Sequence, residues 1–218
     1  MAKVVILTGF EPYGGRGINP AAEVVKRLDG STVAGARILG RLLPVSYANL
    51  GATIEALLRD HDASAIVSLG LWPGEPMIRL ERVAINVADF EIADNEGTFL
   101  TDAAIQGNAA TALMATWPVR AAESALLDAG IPVRVSSTAG TFLCNATLFQ
   151  FLHRLDGGGR HVPCGFVHLP YLPAQVAGLM RDLRRERQLE MEQRADVASM
   201  DLDTMVRAVR IVLEACLA

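Results

Sequence analysis

Apolar residues in this chain follow two patterns, short β-branched runs and longer stretches with a helical stripe. The short runs predict strands at 4–10, 36–44, 65–71, 79–88, 133–137 and 165–169. The longer stretches predict helices at 20–28, 47–60, 118–129, 144–155 and 201–217. Because strands alternate with helices, we expect an α/β fold, a three-layer α/β/α sandwich around a mostly parallel, twisted sheet.

Residues at the predicted helix ends agree with this pattern. Asn19 is a good N-cap and Pro20 suits the first helical position, while Gly130 suits the end of the helix before it. The 218 residues fall within the usual size of one large domain, so we expect a single domain over 1–218.

Composition excludes several classes of protein. With 51% hydrophobic and 20% charged residues, the chain does not have the composition of a disordered protein. A net charge of -4 gives no basic surface for nucleic acid or an anionic membrane. The N-terminal apolar run is too short for a signal peptide, and no segment is long enough to span a membrane. The 3 cysteines are therefore expected to be free thiols in a cytoplasmic protein.

The segment 181–194 is unusual, because it holds five Arg and four acidic residues. Since these charges nearly cancel, we predict a solvated helix or loop with ion pairs. A segment that docks a partner protein is the alternative interpretation.

Cys144 follows a run of small and polar residues (136–141) and precedes an apolar helical stripe. A thiol at a helix start lies beside unpaired N–H groups and the positive end of the helix dipole, which favour a nucleophilic thiolate. The same N–H groups can hold an oxyanion. From this pattern alone, a nucleophile and a buried structural cysteine are equally good interpretations.

His168 and Glu81 are the candidate partners of that thiol. His168 lies near the end of an apolar strand, where sites form in open α/β sheets. The strand pattern alone slightly favours an ordinary core histidine over a base. Glu81 shares a predicted strand face with Val83 and Ile85, so its buried carboxylate needs a partner. That partner is a histidine, whose tautomer it would fix, or a neighbouring arginine.

No metal or dinucleotide site is predicted. The Cys and His residues lack the short spacings of metal ligands, and the glycines at 14–15 lack the dinucleotide-binding pattern.

The chain resembles the pyroglutamyl peptidase I (pyrrolidone-carboxylate peptidase) family over nearly its whole length. The segments that carry the resemblance are 8–15 (Thr-Gly-Phe-Glu-Pro-Tyr-Gly-Gly) with 19–20, 81–87 (Glu-Arg-Val-Ala-Ile-Asn-Val), 94–97 (Asp-Asn-Glu-Gly), 139–145 (Ala-Gly-Thr-Phe-Leu-Cys-Asn) and 165–173 (Gly-Phe-Val-His-Leu-Pro-Tyr-Leu-Pro). The resemblance implies hydrolysis of the bond after an N-terminal pyroglutamyl residue, with peptides as substrates. It also implies a cytosolic enzyme without a cofactor that forms homo-oligomers, a tetramer or a dimer.

The resemblance also implies roles for individual residues. Cys144 would be the nucleophile, His168 the general base and acid, and Glu81 the group that orients His168. Phe10 and Tyr13, the latter in place of the family's usual Phe, would flank the flat pyroglutamyl ring. The full set of expected substrate-binding positions is Phe10, Tyr13, Asn19, Leu71, Glu91 and Leu143.

Several positions near the expected site depart from the family pattern. The family's Gly-Gln-Ala-Gly-Gly-Arg is replaced at 70–75 by Gly-Leu-Trp-Pro-Gly-Glu, so Leu71 lacks a polar group for the substrate backbone. Glu91 stands where the family has Arg, and its carboxylate would oppose a thiolate or an oxyanion. Ala93 and Ala146 replace the usual Pro and His. We therefore expect weaker turnover or an altered substrate range.

Three alternatives remain at this point. The site could belong to a related hydrolase of small amides or cyclic imides, which assays on different acyl amides would reveal. It could belong to a binder of pyroglutamyl peptides with little or no activity, in which Cys144 would be inert to iodoacetamide. A nucleoside-binding protein of similar shape rests on fold analogy alone.

Overall fold

A seven-stranded sheet forms the centre of the molecule in the computed structural model, which describes residues 3–186 and 198–218. In chain order the elements are β1 (Val4–Phe10), α1 (Pro20–Leu28), β2 (Thr32–Val33), β3 (Ala36–Leu43), α2 (Tyr47–Asp60), β4 (Ala63–Leu71), β5 (Ile78–Glu81), β6 (Val83–Ile85), β7 (Ala112–Met114), α3 (Val119–Asp128), β8 (Val133–Ser136), α4 (Leu143–Gly157), β9 (Cys164–Leu169), α5 (Pro173–Arg185) and α6 (Leu202–Leu217).

The strand order in this sheet is β2-β3-β1-β4-β9-β5-β8. Strands β3, β1, β4 and β9 are parallel to one another. Strand β5 runs antiparallel to β9 and parallel to β8, and the short β2 is antiparallel to β3. The prediction of a mostly parallel sheet is confirmed, and the reversal at β5 lies in the part of the sheet that holds the candidate site.

Helices cover both faces of the sheet, which confirms the three-layer prediction. Side chains of α1, α3 and α6 form one core with alternate residues of β1, β4 and β9, including Leu7, Val67 and Val167. The opposite core contains α2, α4 and the intervening strand residues, among them Ile6 and Phe166. Since residues two apart on a strand share a face, His168 faces the α4 layer together with Phe166.

The predicted continuous strand at 79–88 is wrong, because the chain breaks it at Arg82. The Arg82 N–H donates to Ser136 O (3.1 Å) in the main sheet, while its own carbonyl accepts from Ala115 N (2.9 Å). Beyond this point β6 pairs with β7 in a separate two-stranded sheet. Val83 and Ile85 are only half-buried there and do not share a face with Glu81.

Three described elements were not predicted. Strands β2 and β7 have two and three residues, too few for a periodic signal. Helix α5 has a single buried residue, Val176, so it shows no apolar stripe. Its last turn lies in the charged segment 181–194 and contains an exposed ion pair between Asp182 and Arg185 (3.8 Å). The rest of that segment from 187 onward lies outside the described residues.

None of the helices within 3–186 and 198–218 is long and apolar enough to cross a lipid bilayer.

Gly165 provides a test of the packing on the face opposite α4. A Cβ atom at Gly165 would overlap the Trp117 ring, and Trp117 is buried. We expect Gly165→Ala to destabilise the protein by roughly 1–3 kcal/mol or more, because overpacking forces side chains and backbone to shift.

The matched control is Gly107→Ala, since a Cβ there meets nothing within 4 Å. Urea unfolding of both variants checks the prediction. Equal stability of the two variants would contradict the close packing of Trp117 on β9.

Candidate active site

Glu81 and His168 form a buried hydrogen-bonded pair. His168 Nδ1 lies 2.8 Å from Glu81 Oε1, and the exposed fractions of the two side chains are 1% and 0%. Because an ionised carboxylate can only accept, Nδ1 carries the proton and Nε2 is left as the basic nitrogen. The sequence prediction that a histidine and this acid come together therefore agrees with the geometry.

The register of β5 against β9 explains why the pair forms. Arg79 lies opposite His168, and Glu81 lies opposite Phe166. In an antiparallel pair, opposed residues and their neighbours two positions along share a face. All four side chains therefore point toward the α4 layer.

Arg79 is the second partner of Glu81. Its Nε donates to the same oxygen, Oε1, at 3.0 Å. The alternatives left open by the sequence, a histidine partner or an arginine partner, are thus both realised. The other carboxylate oxygen, Oε2, is buried and has no hydrogen-bond partner among the described residues.

Cys144 is the second residue of α4, which begins at Leu143 with Phe142 as its N-cap. The Phe142 side chain caps none of the first N–H groups. The start of α4 is held by Asn145, whose amide bonds the Ile85 N–H (2.9 Å), the Ile85 carbonyl (2.9 Å) and the Val87 carbonyl (3.0 Å). The first-turn N–H groups beside Cys144 are therefore available to an anion.

Gly70 allows Cys144 to approach the sheet beside His168. Gly70 is paired with His168 across β4 and β9. A Cβ at Gly70 would lie 2.8 Å from Cys144 Sγ and 2.9 Å from the Phe166 ring. Only a glycine leaves space for the sulfur at this point.

A cavity of about 450 Å³ lies over these side chains and is lined by both Cys144 and His168. This volume is in the range that holds small ligands. Trp72 forms part of its wall and meets the His168 ring edge-on, with the ring centroids 4.9 Å apart. The nucleophile candidate and the base candidate therefore face one shared space.

A much smaller pocket of about 10 Å³ adjoins Cys144. Five of the six expected substrate-binding residues line it, namely Phe10, Tyr13, Asn19, Leu71 and Leu143. Phe142 completes its wall, with its ring centroid 6.1 Å from that of Tyr13. Such a volume holds about one water molecule, so a ring can enter only if these side chains move apart.

The polar groups of this pocket are engaged in the fold. Asn19 accepts from Ala21 N (3.0 Å) as the N-cap of α1 and donates to Glu11 O (3.1 Å). Burial raises the pKa of Tyr13 to about 12, with a further contribution from Cys144, so its phenol stays neutral.

Glu91, the sixth expected residue, lies on the wall of the larger cavity and is exposed. Asp89 and Arg16 line the same cavity. Arg16 lies over the Tyr13 ring at 5.4 Å and donates weakly to the Tyr171 hydroxyl at 3.4 Å. The cavity therefore carries charges of both signs near its opening.

Burial dominates the protonation of both reacting groups. It raises the pKa of the Cys144 thiol to about 12, and the negative charge of Glu81 raises it further. Burial also lowers the pKa of His168, against the raising effect of Glu81. The free protein therefore holds a neutral thiol and a neutral imidazole, which differs from the expectation that the helix start favours a thiolate.

Within 3–186 and 198–218, no three His, Cys, Asp or Glu side chains are grouped in a way that could hold a metal ion.

Comparison with known proteins places this site in a family. A sequence model of the family described as Pyroglutamyl peptidase matches residues 3–218. The chain is 40% identical over 215 residues to the pyrrolidone-carboxylate peptidase of Chromobacterium violaceum. The alignment covers 97% of this chain and 91% of that protein. This chain belongs to the pyroglutamyl peptidase family.

Solved structures of the family share the fold. The pyrrolidone carboxyl peptidase from Thermococcus litoralis matches with a TM-score of 0.90 and 35% identity, over 99% of this chain and 93% of that one. A mutant pyrrolidone carboxyl peptidase from Pyrococcus furiosus matches with a TM-score of 0.90 and 33% identity, over 98% of each chain. These matches confirm the α/β architecture.

Three residues that shape the site in this member of the family were not among the predicted site residues. Phe142 lines both pockets, and Trp72 covers the imidazole. Arg79 was considered only as a possible ion-pair partner of Glu81. The one local signal for Phe142 is its place inside the motif at 139–145, two residues before Cys144. The positions of Trp72 and Arg79 depend on strand pairing that the sequence does not show.

The protonation state of Cys144 in this family member can be tested directly. Because its pKa is raised to about 12, we expect no thiolate at neutral pH in the free protein. The ultraviolet absorbance of the thiolate, taken as wild type minus Cys144→Ala, should be absent at neutral pH and should appear only in strong alkali. A thiolate signal at neutral pH would contradict the dominance of burial.

Proposed function

We propose that this chain is a cysteine-type omega-exopeptidase, a pyroglutamyl peptidase I, which hydrolyses the bond after an N-terminal pyroglutamyl residue. Cys144 acts as nucleophile, His168 as base and acid, and Glu81 as the group that orients His168. The observation that carries the proposal is that Cys144, at the start of α4, and the Glu81-bound His168 line one cavity.

The first step starts from the neutral pair. The Nε2 atom of His168 takes the Cys144 proton as the sulfur attacks the carbonyl carbon of the pyroglutamyl residue. Since the thiol pKa is raised and the imidazole pKa is lowered, proton transfer and attack proceed together. Glu81 stabilises the imidazolium that forms.

The oxyanion of the tetrahedral intermediate lies at the start of α4. The backbone N–H groups of Leu143 and Cys144 belong to the first turn, where the helix leaves them without intrahelical partners. Their dipoles point toward the developing negative charge and cost no reorganisation. Leu143 therefore contributes its backbone, while its side chain packs in the core.

The intermediate collapses with the loss of the peptide amine, which leaves with the proton of His168. A thioester between Cys144 and the pyroglutamyl group remains. His168 then takes a proton from a water molecule as the water oxygen attacks the thioester carbonyl. Collapse releases pyroglutamate and returns the proton to the sulfur.

The pyroglutamyl ring enters the small pocket between aromatic side chains. Phe10, Tyr13 and Phe142 present flat apolar surfaces there, which suit a neutral five-membered lactam. Asn19 supports this wall by fixing the start of α1. Leu71 offers only apolar contact where the family has a polar group, so fewer hydrogen bonds hold the substrate backbone.

The remaining expectations form part of the same proposal. The chain is a single domain over 1–218 that acts in the cytoplasm as a homo-oligomer, a tetramer or a dimer. The three free cysteines and the family membership support this. The mechanism needs no cofactor, nucleic acid or membrane.

A binder of low activity is the second candidate, and one observation favours it. Glu91 brings a carboxylate to the cavity in which the oxyanion develops. A related small-amide hydrolase would share the thioester chemistry but would prefer another acyl group. Hydrolysis of a pyroglutamyl amide compared with other aminoacyl amides separates these candidates from the proposed function.

Cys144→Ala is the decisive variant for the nucleophile. We expect it to reduce hydrolysis of a pyroglutamyl chromogenic amide to background while circular dichroism stays unchanged, because no other group can form the thioester. Cys216→Ala, which removes a buried free thiol of α6, is the control and should retain activity. Full hydrolysis by Cys144→Ala would exclude Cys144 from the mechanism.

Glu91→Arg tests the departure from the family pattern. Removing a negative charge and adding a positive one near the oxyanion should raise kcat/KM by roughly three- to tenfold, since exposed charges at close range interact by about 1 kcal/mol in water. Glu55→Arg makes the same change of charge at an exposed site on α2 and should have little effect. An unchanged or lower kcat/KM for Glu91→Arg would show that Glu91 does not limit the reaction.

A further inference from the structure

Arg79 carries a buried guanidinium and lies two residues before Glu81, the acid that holds His168. Its exposed fraction is 4%. Strand register places it opposite His168 on β9 and opposite Arg134 on β8. An arginine is rarely buried unless its charge and donors are matched, so its contacts need an explanation.

Every part of the guanidinium is engaged. Nε donates to Glu81 Oε1 (3.0 Å) and Nη1 to Glu75 Oε2 (3.3 Å). Nη2 donates to Ser136 Oγ (2.7 Å) and to the Thr138 carbonyl (2.8 Å). These bonds fix the planar group from two sides, which a lysine ammonium could not reproduce.

Trp72 packs against the guanidinium of Arg79 with the face of its ring. The guanidinium carbon of Arg79 lies 3.7 Å from the centre of the Trp72 ring, and the edge of that ring meets His168. A cation over an aromatic face is attracted to it, and more strongly when both are removed from water. Arg79 and His168 thus both pack against Trp72, and Trp72 and His168 line the cavity.

We propose that Arg79 is a positioning residue for the reaction: it holds Glu81 against His168, and its positive charge balances the carboxylates of Glu81 and Glu75 beside the imidazole. This inference rests on the proposed function. Arg79 has no contact with the reacting atoms and acts through Glu81 and His168.

The charges that face His168 show why a cation is needed there. Glu81 and Arg79 come from β5, Glu75 from the loop after β4, and the Cys144 thiol from α4. Trp72 and Phe166, which also contact the ring, are uncharged. Burial lowers the pKa of His168, Glu81 and Glu75 raise it, and Arg79 lowers it. Arg79 thus acts in the same direction as burial, and without its charge burial alone would oppose the two carboxylates.

Arg134 is a matched control within the same network. It donates to Glu75 Oε2 at 2.6 Å, the oxygen that Arg79 also contacts, but its side chain is 51% exposed. It has no hydrogen bond to Glu81. A role that depends only on pairing Glu75 would therefore affect Arg134 and Arg79 variants alike.

The test is the pH profile of kcat/KM for hydrolysis of a pyroglutamyl amide. In Arg79→Gln the acidic limb should move to higher pH, because the imidazole stays protonated further up the scale. Its kcat should fall roughly 10- to 100-fold from the misplacement of Glu81 and His168, with a small change in KM. In Arg79→Lys the charge remains, so the acidic limb should stay near that of wild type while kcat recovers only in part.

Glu75 carries the opposite charge to Arg79, so its removal should move the acidic limb in the opposite direction. It also allows a double variant to be made. Glu75→Gln should move the acidic limb to lower pH. Glu75→Gln combined with Arg79→Gln restores the balance of charge, so its limb should return toward wild type while kcat stays low. Arg134→Gln should leave the limb in place.

The inference is overturned if the limb of Arg79→Gln stays at the wild-type position, or if Arg79→Lys moves it equally. Should Arg79→Gln fail to fold by circular dichroism, Glu75→Gln decides, and an unchanged limb in that variant overturns the inference. A nitrogen NMR titration of His168 reports the same shifts without a pyroglutamyl substrate. Wild type and variants that show these shifts, while wild type hydrolyses no pyroglutamyl amide, would refute the proposed function alone.

Discussion

A single carboxylate oxygen, Oε1 of Glu81, determines the geometry of the site. It accepts hydrogen bonds from His168 on one strand and Arg79 on its own strand, at 2.8 and 3.0 Å. A carboxylate with no exposed surface is costly unless it is paired, so these bonds fix the register of β5 against β9. A slip of one residue would turn both Arg79 and Glu81 to the opposite core.

The reversed direction of β5 makes this arrangement possible. Because β5 is antiparallel to β9, its last residues lie beside the middle of β9 rather than beyond its end. Trp117 Nε1 donates to the Glu81 carbonyl (3.1 Å), and the chain leaves the sheet directly afterwards. The acid is therefore held under the imidazole, while the start of α4 brings Cys144 from the adjacent layer over Gly70. Three separate segments meet at one cavity.

Local patterns were sufficient to predict the alternation of strands and helices and to single out Cys144, His168 and Glu81 as candidates, whereas their roles came from the family resemblance. Local patterns were insufficient where contacts with residues distant in the sequence determine the structure. The alternation at 79–88 continues across Arg82, and only pairing with β7 and β8 breaks it. The unpaired N–H groups and the dipole of the helix start favoured a thiolate at Cys144, whereas burial raises the pKa of this thiol. The partners of Arg79 depend on the register of β5 against β8 and β9. That register cannot be read from the residues around Arg79 alone.

The orientation of the imidazole is the claim on which the mechanism depends, and nitrogen NMR of His168 tests it most directly. The resonances are assigned by comparison with a His168→Gln variant and recorded at neutral pH in the free protein. Glu81 as acceptor predicts a neutral ring with the proton on Nδ1 and a bare Nε2. A ring that carries its proton on Nε2, or on both nitrogens, would contradict this, because neither form can accept the proton of Cys144.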